Sequence, residues 1–590
     1  MRSLANSLQK LGHKFEWVRE PSDLDKADKL LFPGVGSFGH AMDVLRSKGY
    51  VEPLRAYLRS GKPYMGICIG LQALFEGSDE SPGAEGLGVL PARVGRFSVQ
   101  DAQGRHKAVP HMGWSTAHVP PMERAGAGAG TASVADVDHL GERFGLRHDA
   151  HFYFVHSYRV AFSSDAQADW VLATSQYGDE SFVSVVQHGN IFATQFHPEK
   201  SGRAGLAVLD AWLRQPEHAE YAHVPRRVAH HEPRVAFARP VARIVACLDV
   251  RSNDEGDLVV TKGESYDVRD KVEPTGGAQA GTRAVRNMGK PVELAQRYYD
   301  EGADEITFLN ITSFRSCPLQ DQPMLELLER AAESIFVPLT IGGGIRDMRD
   351  PDGTLHPALE VAQAYFRAGA DKVSIGSDAV YAVEQLRERA VAAGAPADLS
   401  AVPDAALSGD TPLEQISRAY GAQALVVSVD PRRVYLEEQE PVPAAHAASV
   451  VHGVDERAGR EGRAARWWYR CTVKGGREDR DVDVVQLARG TARLGAGELL
   501  INSIDRDGSN RGFDTQLIDT VRGAVDIPVI ASSGAGVPEH FAEVFAERAA
   551  RHGAPVEAAL AAGIFHRRQC TIGAVKQHLA EKGYPVRLDV

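Results

Sequence analysis

The sequence predicts an α/β protein built as two successive units, and three observations predict it. Residues 242–250, Ala-Arg-Ile-Val-Ala-Cys-Leu-Asp-Val, form a short apolar run rich in β-branched residues with Pro240 just before it. That composition and length read as a buried strand. Ahead of it, a strand running into a glycine turn and then a helix occurs twice, at 29–36 and 63–72. Behind it, the chain repeats itself at an offset of about 180 to 195 residues, which makes residues 241–590 two similar halves in tandem. The run at 242–250 is the hinge of this plan. Its period of two places Arg243, Val245, Cys247 and Asp249 on one face and Ile244, Ala246 and Leu248 on the other. Arg243 and Asp249 then lie roughly 20 Å apart along that face. A guanidinium at one end and a carboxylate at the other, both inward, suit a barrel with something to do at each mouth.

The 590 residues leave room for two to four domains. The net charge of −12 is spread without a dense basic block, so nucleic acid and membrane surfaces are poor partners. An anionic ligand must be caught by local backbone N–H groups or single lysines. The cysteines (Cys68, Cys247, Cys317, Cys471, Cys570) are odd in number, scattered and never spaced C-x-x-C. Neither a disulfide framework nor a zinc site follows, and a reducing compartment is expected. No apolar run reaches the length of a membrane span, and the N-terminus is neither a signal peptide nor an obvious transit peptide. A soluble intracellular protein with no metal and no cofactor is the expectation.

In the first unit, residues 1–218, Leu4, Leu8 and Leu11 share a helical face, so the chain opens inside a helix. Lys29-Leu-Leu-Phe-Pro-Gly-Val-Gly36 is a strand entering a glycine turn. In Pro63-Tyr-Met-Gly-Ile-Cys-Ile-Gly-Leu-Gln72, Gly66-x-Cys68-x-Gly70 is the cysteine form of a nucleophile elbow. Small residues permit the strained turn that lifts the sulfur to a helix N-terminus, where the dipole favours the thiolate. Ile191-Phe-Ala-Thr-Gln-Phe-His-Pro-Glu-Lys200 delivers His197 and Glu199. A cysteine nucleophile needs a base, and the base an orienting carboxylate. Taken alone, Cys68 reads as a buried structural thiol and His197 as a satisfied turn histidine. Together in one domain they outweigh both readings.

These residues resemble the class I, triad-type glutamine amidotransferases, over nearly the whole first unit and with their flavodoxin-like fold. The resemblance implies Cys68 as nucleophile, His197 as base and Glu199 as orienter. It also implies that the Gly34-Val35-Gly36 turn supplies an oxyanion N–H from Val35, with Ile69 giving another, and that Gln72 contacts the substrate glutamine. The family begins with a strand and glycine turn ahead of the first helix, and this chain starts at that helix. The expectation is an internal strand absent from the sheet, through truncation or a crippled glutaminase. Residues 219–240, rich in His, Arg, Pro and Ala, read as a linker, and the Ala/Gly run at 125–132 as a surface loop.

In the second unit the repeats align Ile244–Asp249 with Leu425–Asp430, Glu305–Asn310 with Glu498–Ser503, Val337–Gly344 with Ile527–Gly534, and Lys372–Gly376 with Ala559–Gly563. Each half holds four apolar strands separated by helical stretches, and eight βα units make a TIM barrel. A typical barrel needs about 250 residues; the excess falls in loops around 272–286, 392–412 and 432–480. Barrel chemistry lives at the C-terminal ends of strands, where strands one and five end in Asp249 and Asp430. Two carboxylates across a mouth suit acid–base work. Gly342–Gly344 with Gly376-Ser377, and Ser533-Gly534 with Ala562-Gly563, form two symmetry-related pockets lined by backbone N–H groups. The pair predicts a long ligand phosphorylated at both ends.

The second unit resembles the cyclase subunit of the imidazole glycerol phosphate synthases, and fusion to an amidotransferase matches the form found in fungi and plants. The motifs Cys247-Leu-Asp-Val-Arg, Val260-Thr-Lys-Gly263, Phe308-Leu-Asn-Ile-Thr312, Ser503-Ile-Asp-Arg-Asp-Gly508 and Ala531-Ser-Ser-Gly-Ala-Gly536 carry it. The resemblance implies Asp249 and Asp430 as the acid–base pair and Lys262 on a closing loop. Asn310, Asp507 and Gly508 would line the pocket, and Gly344, Gly376, Ser377, Ser533, Gly534 and Gly563 would hold phosphates. Substrates would be glutamine and a doubly phosphorylated ribonucleotide, in histidine synthesis. The resemblance further implies that Arg243, Glu305, Lys372 and Glu498 ring the bottom mouth as an ammonia gate, and that Asp371 faces Lys200 across the domains. A solvated ion cluster that merely stabilises the floor is the plainer reading of the ring. A monomer is expected, in plastid stroma or cytoplasm. Alternatives are a cyclase driven only by external ammonia, a related sugar-phosphate isomerase barrel, and a non-catalytic scaffold.

Overall fold

The structure is a computed structural model that describes residues 2–119, 122–124, 141–163, 167, 169–215, 226–228, 238–252, 258–260, 290–311, 323–350, 352–394, 398–437, 439–457, 459–546 and 556–589. Lys262, the 272–286 loop, the Ala/Gly run at 125–132 and Cys317 lie outside them.

The first unit is organised by one mixed sheet of β1 (Leu30–Gly34), β2 (Tyr64–Cys68), β3 (Val171–Tyr177), β4 (Glu180–His188) and β5 (Ile191–Thr194), in the order β1-β2-β5-β4-β3. β1 and β5 flank β2 in parallel, and Gly34 pairs with Cys68. β2 is buried along its whole length, as its unbroken apolar run requires when both faces are covered. Met65 and Ile67 pack with Phe152, Phe154 and Phe196 on one side, and Tyr64 packs with Leu71 and Val186 on the other. The opening helix forms as read, over Arg2–Lys10, with Leu4 and Leu8 buried. β1 stands at the edge of the described sheet.

The second unit closes eight parallel strands into a barrel: β6 (Arg243–Ser252), β7 (Glu305–Asn310), β8 (Leu339–Gly342), β9 (Lys372–Ile375), β10 (Leu425–Val429), β11 (Glu498–Asn502), β12 (Val529–Ser532) and β13 (Ala558–Ala561). Closure is made by β6 on β13, with Arg243 opposite Ala558. The predicted faces of β6 hold: Val245 and Cys247 point inward with Val426, Leu500, Ile530 and Leu560, while Ile244, Ala246 and Leu248 join the outer core. The 432–480 insertion carries strands Pro431–Leu436, Val451–Val454 and Ala464–Val473, which with Glu478–Asp483 form a four-stranded antiparallel sheet. Its Trp467, Tyr469 and Cys471 bury against the barrel's outer core. Part of the stretch read as a linker is ordered, since Arg226–Val228 pairs with Met122–Arg124.

The barrel floor and the amidotransferase unit meet directly. Val109 N–H donates to Asp526 O at 2.8 Å and Gly202 N–H to Phe336 O at 2.9 Å. Trp114 is buried in the barrel's cluster, with the Arg587 guanidinium 4.2 Å above its ring. Asp589 accepts from the His151 N–H at 3.0 Å and lies 3.2 Å from its Nδ1.

Candidate active sites and the wall between them

Cys68 ends β2 and precedes a short helix, Ile69–Gln72, with φ +54 and ψ −101. A left-handed cysteine is strained, and its neighbours explain why it is tolerated. A Cβ on Gly66 would sit 2.4 Å from Gly70 O, and one on Gly70 would sit 1.9 Å from Phe32 O. Only glycine permits that approach. The sulfur is buried, and the Gln195 side-chain amide donates to it at 3.5 Å. His197 is fixed by its backbone N–H on Tyr153 O at 2.9 Å. Its Nδ1 lies 2.9 Å from Glu199 Oε1. Burial disfavours the imidazolium, yet Glu199 and then Cys68 overcome this and raise the His197 pKa to about 10. Burial pushes Glu199 the other way, but His197 holds its carboxyl below the usual range. The arrangement thus favours the imidazolium of His197 beside the Glu199 carboxylate.

Gln72 is buried, its amide donating to Tyr158 O and to Gln195 Oε1, both at 3.1 Å. The side chain of Ile69 abuts Gly34, where an added Cβ would meet it at 2.8 Å, so the glycine turn and the start of the elbow helix share one corner. Val35 is 63% exposed; Gly36, with φ +115, faces Ala419 O of the barrel unit. Gln195 escaped the sequence reading. It lies just past the end of β5, and its link to Cys68 comes only from the fold.

The four charges at the floor come together. Arg243 Nη1 lies 3.1 Å from Glu305 Oε2, its Nη2 pairs with Glu498, and Lys372 Nζ reaches both glutamates at 2.7 Å. Arg243, Glu305, Lys372 and Glu498 are each no more than 1% exposed. The ring is thus shielded from bulk solvent, and what stands of the plainer reading is a buried ion cluster that stabilises the floor. Thr340 Oγ1 donates to Glu305 at 2.6 Å. From below, the amidotransferase strand His111–Thr116 covers the ring: Lys372 Nζ lies 3.7 Å from Met112 Sδ, and a Cβ on Gly113 would meet Arg243 Cδ at 3.5 Å. Lys200 Nζ and Asp371 Oδ2 pair at 2.6 Å beside it.

At the top mouth both carboxyls are perturbed. Burial, reinforced by the charge of Asp507, raises Asp249 to about 7; the Cys247 thiol donates to it at 3.9 Å. Burial also raises Asp430, with the Asn502 hydrogen bond opposing and Asp507 reinforcing. The insertion sheet anchors this residue, as Thr472 Oγ1 donates to Asp430 O at 2.7 Å. Asn310 ends β7 and Gly508 turns with φ +66 beyond β11. Gly343 and Gly344 (φ +89, +79) and Ser533 and Gly534 (φ +73, +96) form matching left-handed turns after β8 and β12. Gly376 and Ala562 cap the helices that start at Ser377 and Gly563. Ser377 Oγ accepts from Lys474 N–H at 2.9 Å, so the insertion also touches this pocket.

Comparison with known proteins fits both halves. Residues 1–214 match the class-I glutamine amidotransferase family, and residues 243–402 and 388–571 each match the histidine biosynthesis protein family. The double match restates the internal repeat. The chain is 50% identical to the imidazole glycerol phosphate synthase hisHF of Schizosaccharomyces pombe, covering 98% of this chain and 96% of that protein. The chain belongs to the fused imidazole glycerol phosphate synthase family. The chloroplastic family member of Arabidopsis thaliana is 46% identical over 100% of this chain and 88% of its own length. The imidazole glycerol phosphate synthase subunit HisF of Methanopyrus kandleri is 37% identical and covers 58% of this chain. Two catalytic units that are separate chains elsewhere are one polypeptide here, so no separate glutaminase subunit is needed. No helix among the described residues is long and apolar enough to cross a membrane.

Proposed function

We propose that this protein hydrolyses glutamine at Cys68 and consumes the ammonia at Asp249 and Asp430, making imidazole glycerol phosphate. The Cys68 thiolate attacks the glutamine side-chain carbonyl, and N–H groups of Val35 and Ile69 receive the oxyanion. His197 gives a proton to the departing ammonia; water then cleaves the thioester, releasing glutamate. Glu199 keeps the imidazole oriented, and Gln72 and Gln195 border the substrate. Ammonia passes the ring of Arg243, Glu305, Lys372 and Glu498 and rises along the barrel axis. At the mouth it attacks the phosphoribulosyl-formimino aminoimidazole carboxamide ribonucleotide, the product cyclises, and imidazole glycerol phosphate and aminoimidazole carboxamide ribonucleotide leave. The two phosphates rest on the Gly344/Gly376/Ser377 and Ser533/Gly534/Gly563 turns. Asn310, Asp507 and Gly508 line the space between, and Lys262 belongs to the loop that closes it. The amidotransferase unit spans 1–218 and the cyclase 241–590, acting as a monomer.

The observation that carries this reading is the sealed floor. A charged ring no more than 1% exposed sits between the cysteine site and the two carboxylates, covered from below by the amidotransferase strand His111–Thr116. The test is Cys68→Ala. Glutamine-driven synthesis should fall at least about a thousandfold, as for loss of a nucleophile, while synthesis with ammonium salts persists. Glutamine-driven synthesis surviving the substitution would overturn the proposal.

A further inference from the structure

The two mouth carboxylates occupy equivalent places in the barrel's halves, yet their neighbours differ. Two residues before Asp249 stands Cys247; two before Asp430 stands Ser428. On the adjacent strand Asp249 pairs with Leu309, whereas the place beside Asp430 falls to Asn502, next in register after the Val429–Ile501 pair. The Asn502 side-chain amide donates to Asp430 Oδ1 at 2.9 Å and to Ser428 Oγ at 3.0 Å. Both amide hydrogens are used, so the amide is fixed by two anchors, one of them the carboxylate. Leu309, in the matching position of the first half, has no side-chain hydrogen to donate.

We propose that Asn502 is a positioning residue that makes the two carboxylates unequal, aiming Asp430 and favouring its charged form through an amide donor that the strand beside Asp249 does not carry. The inference rests on the cyclase reading of the barrel. An N–H donated to a carboxylate stabilises the ionised state and fixes the lone pair it occupies. Asp507, in the loop after β11, presses on both carboxyls. The Cys247 thiol donates to Asp249 at 3.9 Å, a longer and weaker bond than the Asn502 amide makes to Asp430 at 2.9 Å, and the Cys471 thiol stands in the field of Asp430. The Asp507 charge is shared by the pair, whereas the Asn502 amide is donated to Asp430. Two carboxyls of unlike proton affinity can work as donor and acceptor in one turnover, which two alike cannot do as well.

The test is ammonium-driven synthesis followed across pH with Asn502→Leu, which copies the Leu309 environment. The variant should lose about tenfold or more in kcat, within the range of one acid–base group, with KM changed less than about threefold. The limb of the pH profile set by Asp430 should move to higher pH. Asn502→Thr, which keeps a donor on the strand, should recover much of the rate and the profile. An unmoved profile in Asn502→Leu, or loss of KM and kcat together at every pH, would overturn the proposal. If Asn502→Leu does not fold, Leu309→Asn decides instead: an amide beside Asp249 should move the other limb to lower pH, and an unmoved limb would overturn it. Absence of ammonium-driven synthesis in the unmodified protein would sink the cyclase reading, a separate failure.

Discussion

At Asp249 the protein maintains a carboxyl that titrates about 7, and that has a thermodynamic consequence. The folded state holds this proton more tightly than the unfolded chain. Its stabilising effect is therefore complete below pH about 4 and is lost as pH climbs to about 7. Asp249→Asn removes the need to bury the charge. We expect the substitution to raise the melting temperature at pH 8, by the equivalent of up to roughly 4 kcal/mol, with little change at pH 4, while abolishing synthesis. Equal melting shifts at both pH values would contradict it. Legibility at this scale was uneven. Cys68, His197, Glu199, Asp249 and Asp430 announce themselves through motif and repeat, because each is set by its own local stretch. Gln195 and Asn502 do not, because a carboxamide acquires meaning only from what lies across the strand, Cys68 Sγ at 3.5 Å and Asp430 Oδ1 at 2.9 Å.

The elements show the same division. Eight strands followed from the repeat, since an apolar run of four to six residues is enough to identify a barrel strand, and the inward and outward faces of β6 followed from its alternation. The insertion at 432–480 was not legible. It is a sheet whose partners are non-local: Arg433 pairs with Asp514 at 2.8 Å, and Tyr469 donates to the same carboxylate at 3.0 Å. It buttresses the strand end that carries Asp430, a role no local pattern could state. At the floor, Arg243 lies where the strand pattern put it, but its burial came from packing of the other unit against it. Arg243→Ala leaves Lys372 as the cation that pairs with both Glu305 and Glu498, and removing one partner of a buried ion cluster costs about 3–5 kcal/mol. The proposed gate role predicts a selective effect: glutamine-driven synthesis drops several-fold while ammonium-driven synthesis is kept. If both activities fall alike, the ring is structural only.

Across the whole molecule, the Cys68, His197 and Glu199 trio and the barrel are mechanically adjacent. Lys200, next to Glu199, reaches Asp371 at the foot of β9, and the ring above Met112 starts at Lys372, one residue further on. A ligand that shifts β9 from its top has a short path to the triad. Lys200→Ala should weaken the stimulation of glutamine hydrolysis by the barrel substrate, read as the ratio of glutamate release with and without it, by about three- to tenfold for a coupling of roughly 1 kcal/mol. A preserved ratio would assign this pair to stability alone.

The seam between the units mixes polar contacts, such as Asp589 with His151 and Lys200 with Asp371, with apolar ones, such as Trp114 buried among the barrel's side chains. In two free polypeptides such contacts would have to supply an equilibrium constant for association. Here the covalent tether holds each half at an effective concentration near the millimolar range seen by its partner. Specific activity with glutamine should accordingly stay constant on dilution, down to nanomolar protein, and the seam is at liberty to loosen and reseat during each cycle without the halves ever parting.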